Sequence, residues 1–142
     1  MPDTVFLDTV GLLALLNEDD SLHQIAVKAF AEIEREGLRI TTTDLVLAEF
    51  ANGLARTPLR QEVGWLIREL EAEPRATIVY VDRTLFERGL ALYVARDDKA
   101  WGLVDCISFE PMRGLGISDA FAADRHFEQA GFHCLLAQMR GR

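Results

Sequence analysis

Four acids stand out by where they fall: Asp8, Glu49, Asp105 and Asp124. Asp8 follows the apolar run Val5-Phe6-Leu7 and Asp124 follows Ala120 to Ala123, so each ends a strand-like segment and opens a helix. In parallel α/β sheets ligands collect beyond the carboxyl ends of the strands, which is where these two carboxylates belong. Either one alone would serve equally well as an N-cap, worth about 1 kcal/mol. Glu49, at about 100° per residue, shares a helix face with Leu45, Val46 and Phe50, whereas Asp44 points the opposite way. Asp105 lies between Phe109 and Met112 on a helix that is apolar almost all round. A carboxylate facing a core is costly without a partner, and no Lys or Arg on the Glu49 helix shares its face. Read structurally, these two are buried, hydrogen-bonded acids.

If the four acids meet, their mutual repulsion keeps some of them protonated. A divalent cation removes that conflict. Carboxylate oxygens without nearby His or Cys ligands suit Mg²⁺ or Mn²⁺, and not Zn²⁺. The chain carries a formal net charge of −8 and a pI near 4.8, the wrong sign for holding nucleic acid by charge alone. Bound metal ions reverse the local field where a phosphate must approach.

The elements that would position these acids follow from apolar patterning and capping. Val5 to Leu7 reads as a buried strand, and Asp8-Thr9 caps an interior helix from Val10 to Asn17. Ser21 and Gln24 have capping-box spacing ahead of an amphipathic stretch to Arg35, which Gly37 ends. Arg39 to Thr42 is β-prone, and a helix follows from Leu45 to Leu54. Thr57-Pro58 offers a cap with Pro at the first helical position for a helix ending near Ala72. Ala76 to Val81 is the strongest strand signal. Asp82 caps a helix through Val94, and another begins near Leu103. Pro111 should kink or end that helix, since an interior proline costs about 3 kcal/mol. Ala120 to Ala123 is strand-like, a short helix starts at Arg125, and His133 to Leu136 reads as a final strand. Strands alternating with helices predict a three-layer α/β/α sandwich with a mainly parallel central sheet.

The 142 residues, 49% of them hydrophobic and 27% charged, are expected to form one domain spanning 1–142, large enough to fold without disulfides or a structural metal. Cys106 and Cys134 lack metal-site spacing, which points to a reducing, cytoplasmic setting. The apolar run Val10 to Leu16 is far shorter than the roughly 20 residues of a membrane span, and the start lacks the basic residues of a signal peptide. No membrane association is expected.

Four blocks together resemble one family: Val5-Phe6-Leu7-Asp8-Thr9; Leu45-Val46-Leu47-Ala48-Glu49; Leu103-Val104-Asp105-Cys106-Ile107-Ser108-Phe109; and Ala120-Phe121-Ala122-Ala123-Asp124-Arg125-His126-Phe127, followed by Glu128-Gln129-Ala130-Gly131-Phe132. In this order, over nearly the whole chain, they are similar to PIN domains of the kind found in VapC-type toxins. The resemblance implies a ribonuclease whose acidic quartet falls on Asp8, Glu49, Asp105 and Asp124. It implies one or two Mg²⁺ or Mn²⁺ ions that activate water to cleave RNA phosphodiesters, with Asp8 and Asp105 the first direct ligands. Paired ions about 3.5 to 4 Å apart can stabilise both the attacking and the leaving oxygen. It further implies a type II toxin with a cognate antitoxin whose C-terminal segment covers the active groove, and a homodimer. Two positions depart from the pattern: Gly102 stands where Ser is frequent, and Ala122 where Thr is frequent, each removing a hydroxyl that could orient a carboxylate.

Other residues carry weaker signals. Thr9, Arg125 and His126 are candidates for substrate binding, the last two by meeting a phosphate or protonating a leaving group. Arg56, Arg60 and Arg68 form either an RNA strip or a solvated helix face. Trp101 could stack on a base, though core packing suits it better. His23 and His133 mark no site; Cys106 reads as a small core residue; Asp119 competes with Asp124 for the fourth acidic position. Two alternatives to the nuclease remain: a non-catalytic RNA- or protein-binding module, and a phosphohydrolase using Asp8 as nucleophile, which would call for a second Asp where Val10 stands.

Overall fold

The computed structural model describes residues 3–140. Its elements are β1 (Thr4–Leu7), α1 (Thr9–Leu16), α2 (His23–Arg35), β2 (Arg39–Thr43), α3 (Asp44–Gly53), α4 (Arg60–Ala72), β3 (Ala76–Val79), α5 (Arg83–Ala95), α6 (Leu103–Leu115), β4 (Asp119–Phe121), α7 (Arg125–Gln129), β5 (His133–Cys134) and α8 (Leu135–Arg140). The strands form a single sheet in the order β3-β2-β1-β4-β5, and every pairing is parallel. The expected sandwich is therefore observed, with a sheet that is parallel throughout. Among the described residues no helix is long and apolar enough to cross a membrane.

The strand order follows from what each strand can bury. Val5, Phe6 and Leu7 are at most 1% exposed, as the middle strand of a parallel sheet covered on both faces requires. Connections β1–β2 and β2–β3 advance one way along the sheet, and β3–β4 and β4–β5 advance the other way. With right-handed crossovers, α1 to α4 then cover one face and α5 to α7 the other. The direction reverses between β1 and β4, so the carboxyl ends of these neighbours flank the crevice where such sheets bind ligands.

One glycine fixes the fit at this point. A Cβ on Gly11 would stand 2.1 Å from the Phe121 carbonyl oxygen and 2.5 Å from its ring, so α1 rests directly on the end of β4. No larger residue fits without moving the helix that begins beside Asp8.

Several boundaries differ from the sequence expectation. Ser21 does not cap α2; the N-cap is Leu22, and its N–H donates to the Asp20 carboxylate at 2.9 Å. Thr57 closes a turn by accepting from the Leu59 N–H, and α4 starts at Arg60. β3 stops at Val79, because the Val81 N–H is taken by Asp44 at 2.9 Å and leaves the ladder. The proposed last strand is two residues long before α8 begins. Helix α6 runs through Pro111. Ile107, Phe109 and Met112 are fully buried around the proline, and burial of side chains of this size outweighs one lost backbone hydrogen bond. Gly116, at φ 69°, then closes the helix through Ile117 N–H to the Met112 carbonyl at 2.8 Å.

Replacing Gly11 by Ala is expected to cost about 1–3 kcal/mol, the range of overpacking a tight contact. Urea denaturation with an unchanged midpoint would contradict the α1–β4 contact.

Candidate functional site

Asp8 occupies the N-cap position of α1, yet its side chain makes no capping hydrogen bond. It is 3% exposed. A helix cap would point to the first-turn N–H groups and to solvent; this carboxylate is buried instead. Burial pushes its carboxyl well above the ordinary range, and Asp124 and Asp105 push it further; the Thr9 N–H opposes them and Glu49 adds a smaller rise. The electrostatic neighbours of Asp8 are thus the other three acids singled out by the sequence.

Each of the three reaches this point differently. Asp105, in the first turn of α6, accepts the Gly102 N–H at 3.0 Å. Gly102 has no hydroxyl to return the bond, so only half of a capping box is present. Burial raises the Asp105 carboxyl; Asp124 also raises it, against the Gly102 N–H and His126, which lower it. Asp124 caps α7 by accepting the His126 N–H at 3.2 Å. Glu49 is exposed, which corrects the expectation that it faces the core. The buried side of α3 is Val46, Leu47 and Phe50, with Leu45 only partly covered, so the apolar stripe is displaced by about one residue and Glu49 falls on its border. There it accepts the Thr9 hydroxyl at 2.6 Å.

His126 is the residue whose position sequence spacing did not convey. Its Nδ1 lies 2.9 Å from Asp105 Oδ2 and 3.7 Å from Asp124 Oδ2. Asp105, Asp124 and His126 each offer one ligand atom within 4.8 Å of the others. The expectation of acids without a nearby histidine is therefore corrected. Only the packing of α7 beside α6 brings His126 to an acid twenty-one residues away. Among the described residues no Lys or Arg pairs with any of the four acids.

The remaining candidates fall elsewhere. Arg125 is exposed at the start of α7. Arg68 pairs with Glu71 and Arg60 donates to the Ala55 carbonyl, so both serve the α4 surface. Trp101 is buried and donates to Gln129. Asp119 faces His133 at 3.1 Å. Cys106 is buried, and burial raises its thiol; burial also pushes the Cys134 thiol up to about 12. Ala122 is buried and its carbonyl accepts the Leu136 N–H. An apolar groove of about 380 Å³ between Leu16, Phe30 and Trp65 shares no residue with the acids.

A family model described as the PIN domain matches residues 5–133. The chain belongs to the PIN-domain family. It is 31% identical over 132 residues to the 23S rRNA-specific endonuclease VapC20 of Mycobacterium tuberculosis strain H37Rv, an alignment covering 90% of this chain and 95% of that protein. The same identity and coverage hold for VapC20 of strain CDC 1551. The crystal structure of Mycobacterium tuberculosis VapC20, described as a sarcin-ricin loop cleaving toxin, superposes with a TM-score of 0.80 at 27% identity, covering 91% of this chain and 96% of that one. This PIN domain therefore shares its fold with a chain of nearly equal length.

In the absence of a cation, the raised pKa of Asp8 has a defined sign. Its charge penalises the fold as pH rises through the folded-state value, and the penalty is absent below the ordinary 3.8. Asp8→Asn should therefore raise the urea midpoint in EDTA at neutral pH, with the gain vanishing in acid. A variant less stable than the parent at every pH would refute the electrostatic account.

Proposed function

We propose that this PIN domain, taken as one unit over 1–142, is a divalent-metal-dependent endoribonuclease and the toxin of a toxin–antitoxin pair. The observation that carries the reading is the buried Asp8 carboxylate, which faces three further acids and no Lys or Arg. A hard, oxygen-rich set of this kind fits Mg²⁺ or Mn²⁺. When bound, such an ion supplies Lewis-acid polarisation of the scissile phosphate and a lowered pKa for the attacking water.

The protein's own side chains divide the work by depth. Asp8 forms the floor of the pocket, held by the β1–α1 junction. Asp105 and Asp124 stand above it at the starts of α6 and α7 and complete the ligand set. Glu49 sits at the rim, and Thr9 fixes its carboxylate so that one oxygen is already committed when substrate arrives. Arg125, exposed beside Asp124, is placed to meet an RNA phosphate. VapC20 is named for cleaving 23S rRNA, which makes a sarcin-ricin loop oligonucleotide the natural first substrate.

An acidic RNA-cutting protein also needs restraint. The reading includes a cognate antitoxin whose C-terminal segment lies over the acidic mouth, and a cytoplasmic location. It includes a homodimer formed through apolar helix faces of the N-terminal half, where Val27 and Trp65 are exposed at 44% and 60%.

Cleavage of the loop oligonucleotide should require Mg²⁺ or Mn²⁺ and stop in EDTA. Asp8→Asn and Asp105→Asn should each lower the rate at least about 100-fold, the upper end of what even an outer partner of a metal site is worth. Cleavage that survives both changes would exclude the mechanism. Thr9→Val should leave the fold intact and slow cleavage by about 10-fold, because Glu49 loses its anchor; an unaltered rate would remove Thr9 from the positioning role.

A further inference from the structure

We propose that His126 is a nitrogen ligand of the ion held at this site, and that it sets the preference of this chain for Mn²⁺ over Mg²⁺. The proposal rests on the nuclease reading of the same pocket and specifies it further.

The geometry comes first. Adjacent ligands of an octahedral ion with bonds near 2.1 Å stand about 3.0 Å apart. Nδ1 of His126 is 2.9 Å from Asp105 Oδ2, a hydrogen bond in the ion-free chain, and 3.7 Å from Asp124 Oδ2, so the ring nitrogen is at ligand spacing from one carboxylate and within 1 Å of it from the other. Its ring is held in that direction. Asp124 accepts the His126 backbone N–H through Oδ1, which leaves Oδ2 on the side of the ring. The next residue, Phe127, is fully buried and packs against Phe6, Phe109 and Phe132, so α7 cannot turn without dismantling an aromatic cluster. A second, independent observation lies beneath: Asp8 is buried beside the same carboxylates and makes no side-chain capping bond. A negative group in that state calls for a cation between itself and its neighbours.

The consequence is chemical. Mg²⁺ takes oxygen and holds its waters tightly, whereas imidazole suits the first-row transition ions. With the proton on Nε2, the Nδ1 lone pair faces the ion. Three carboxylates alone would suit Mg²⁺ and Mn²⁺ alike; exchanging one oxygen for this nitrogen favours Mn²⁺.

The test is made on the full chain loaded with Mn²⁺, by pulsed electron paramagnetic resonance and by calorimetric titration with each ion. The wild type should show nitrogen modulation from a directly bound imidazole, and His126→Asn should abolish it. Mn²⁺ affinity should fall about 10-fold in His126→Asn and in His126→Ala, while Mg²⁺ affinity is retained, because the lost ligand is one that Mg²⁺ does not favour. Bound Mn²⁺ without nitrogen modulation, or equal losses for the two ions, would show that His126 only hydrogen-bonds to Asp105 and would overturn the assignment while leaving the nuclease reading standing. If the wild type binds neither ion, the nuclease reading fails as well.

Discussion

Everything at the crevice follows from one electrostatic constraint: a carboxylate at the end of the innermost strand, almost without access to water, in the company of three more. An ionised group in such a place is expensive unless a cation or a set of donors compensates it. Here the protein offers little of either. Among the named influences on Asp8 the Thr9 N–H opposes the rise, and the His126 imidazole hydrogen-bonds to Asp105 instead. The fold tolerates this because the surrounding structure is rigid: β1 is buried on both faces, α1 is seated on the Phe121 carbonyl, and the aromatic cluster under α7 holds the opposite wall.

A site so arranged is unfavourable for the protein alone and favourable once a cation is supplied. Binding energy from the ion is then also folding energy for the pocket. The exposure gradient follows the same logic. Asp8 is buried, Asp105 and Asp124 are partly covered, and Glu49 is exposed, so the carboxylate oxygens become more accessible toward solvent.

Much of this was legible in the sequence because the acids sit at punctuation marks. Asp8 and Asp124 each follow a short apolar run and start a helix, and the parallel-sheet rule places both in one crevice. Glu49 was found for a partly mistaken reason. A helical wheel locates a polar residue to within about one position, and here that error separates the core from its border. The contact between His126 and Asp105 had no local signal, since it arises from how α7 packs beside α6. Pro111 shows the opposite failure: a strong local penalty was overridden by the burial of Ile107, Phe109 and Met112. Short elements such as β5 were misjudged because two residues carry no periodicity to read.

The strand order has a consequence for the chain as it is made. β1, synthesised first, has β4 as its neighbour, and the acids that act on Asp8 from that side, Asp105 and Asp124, together with the His126 that contacts them both, lie in the last third of the polypeptide. A growing chain still attached to the ribosome can complete α1 to α4 and the β1–β2–β3 half of the sheet, but it has no pocket. The acidic centre therefore cannot assemble until the last third has been made and has folded back against β1.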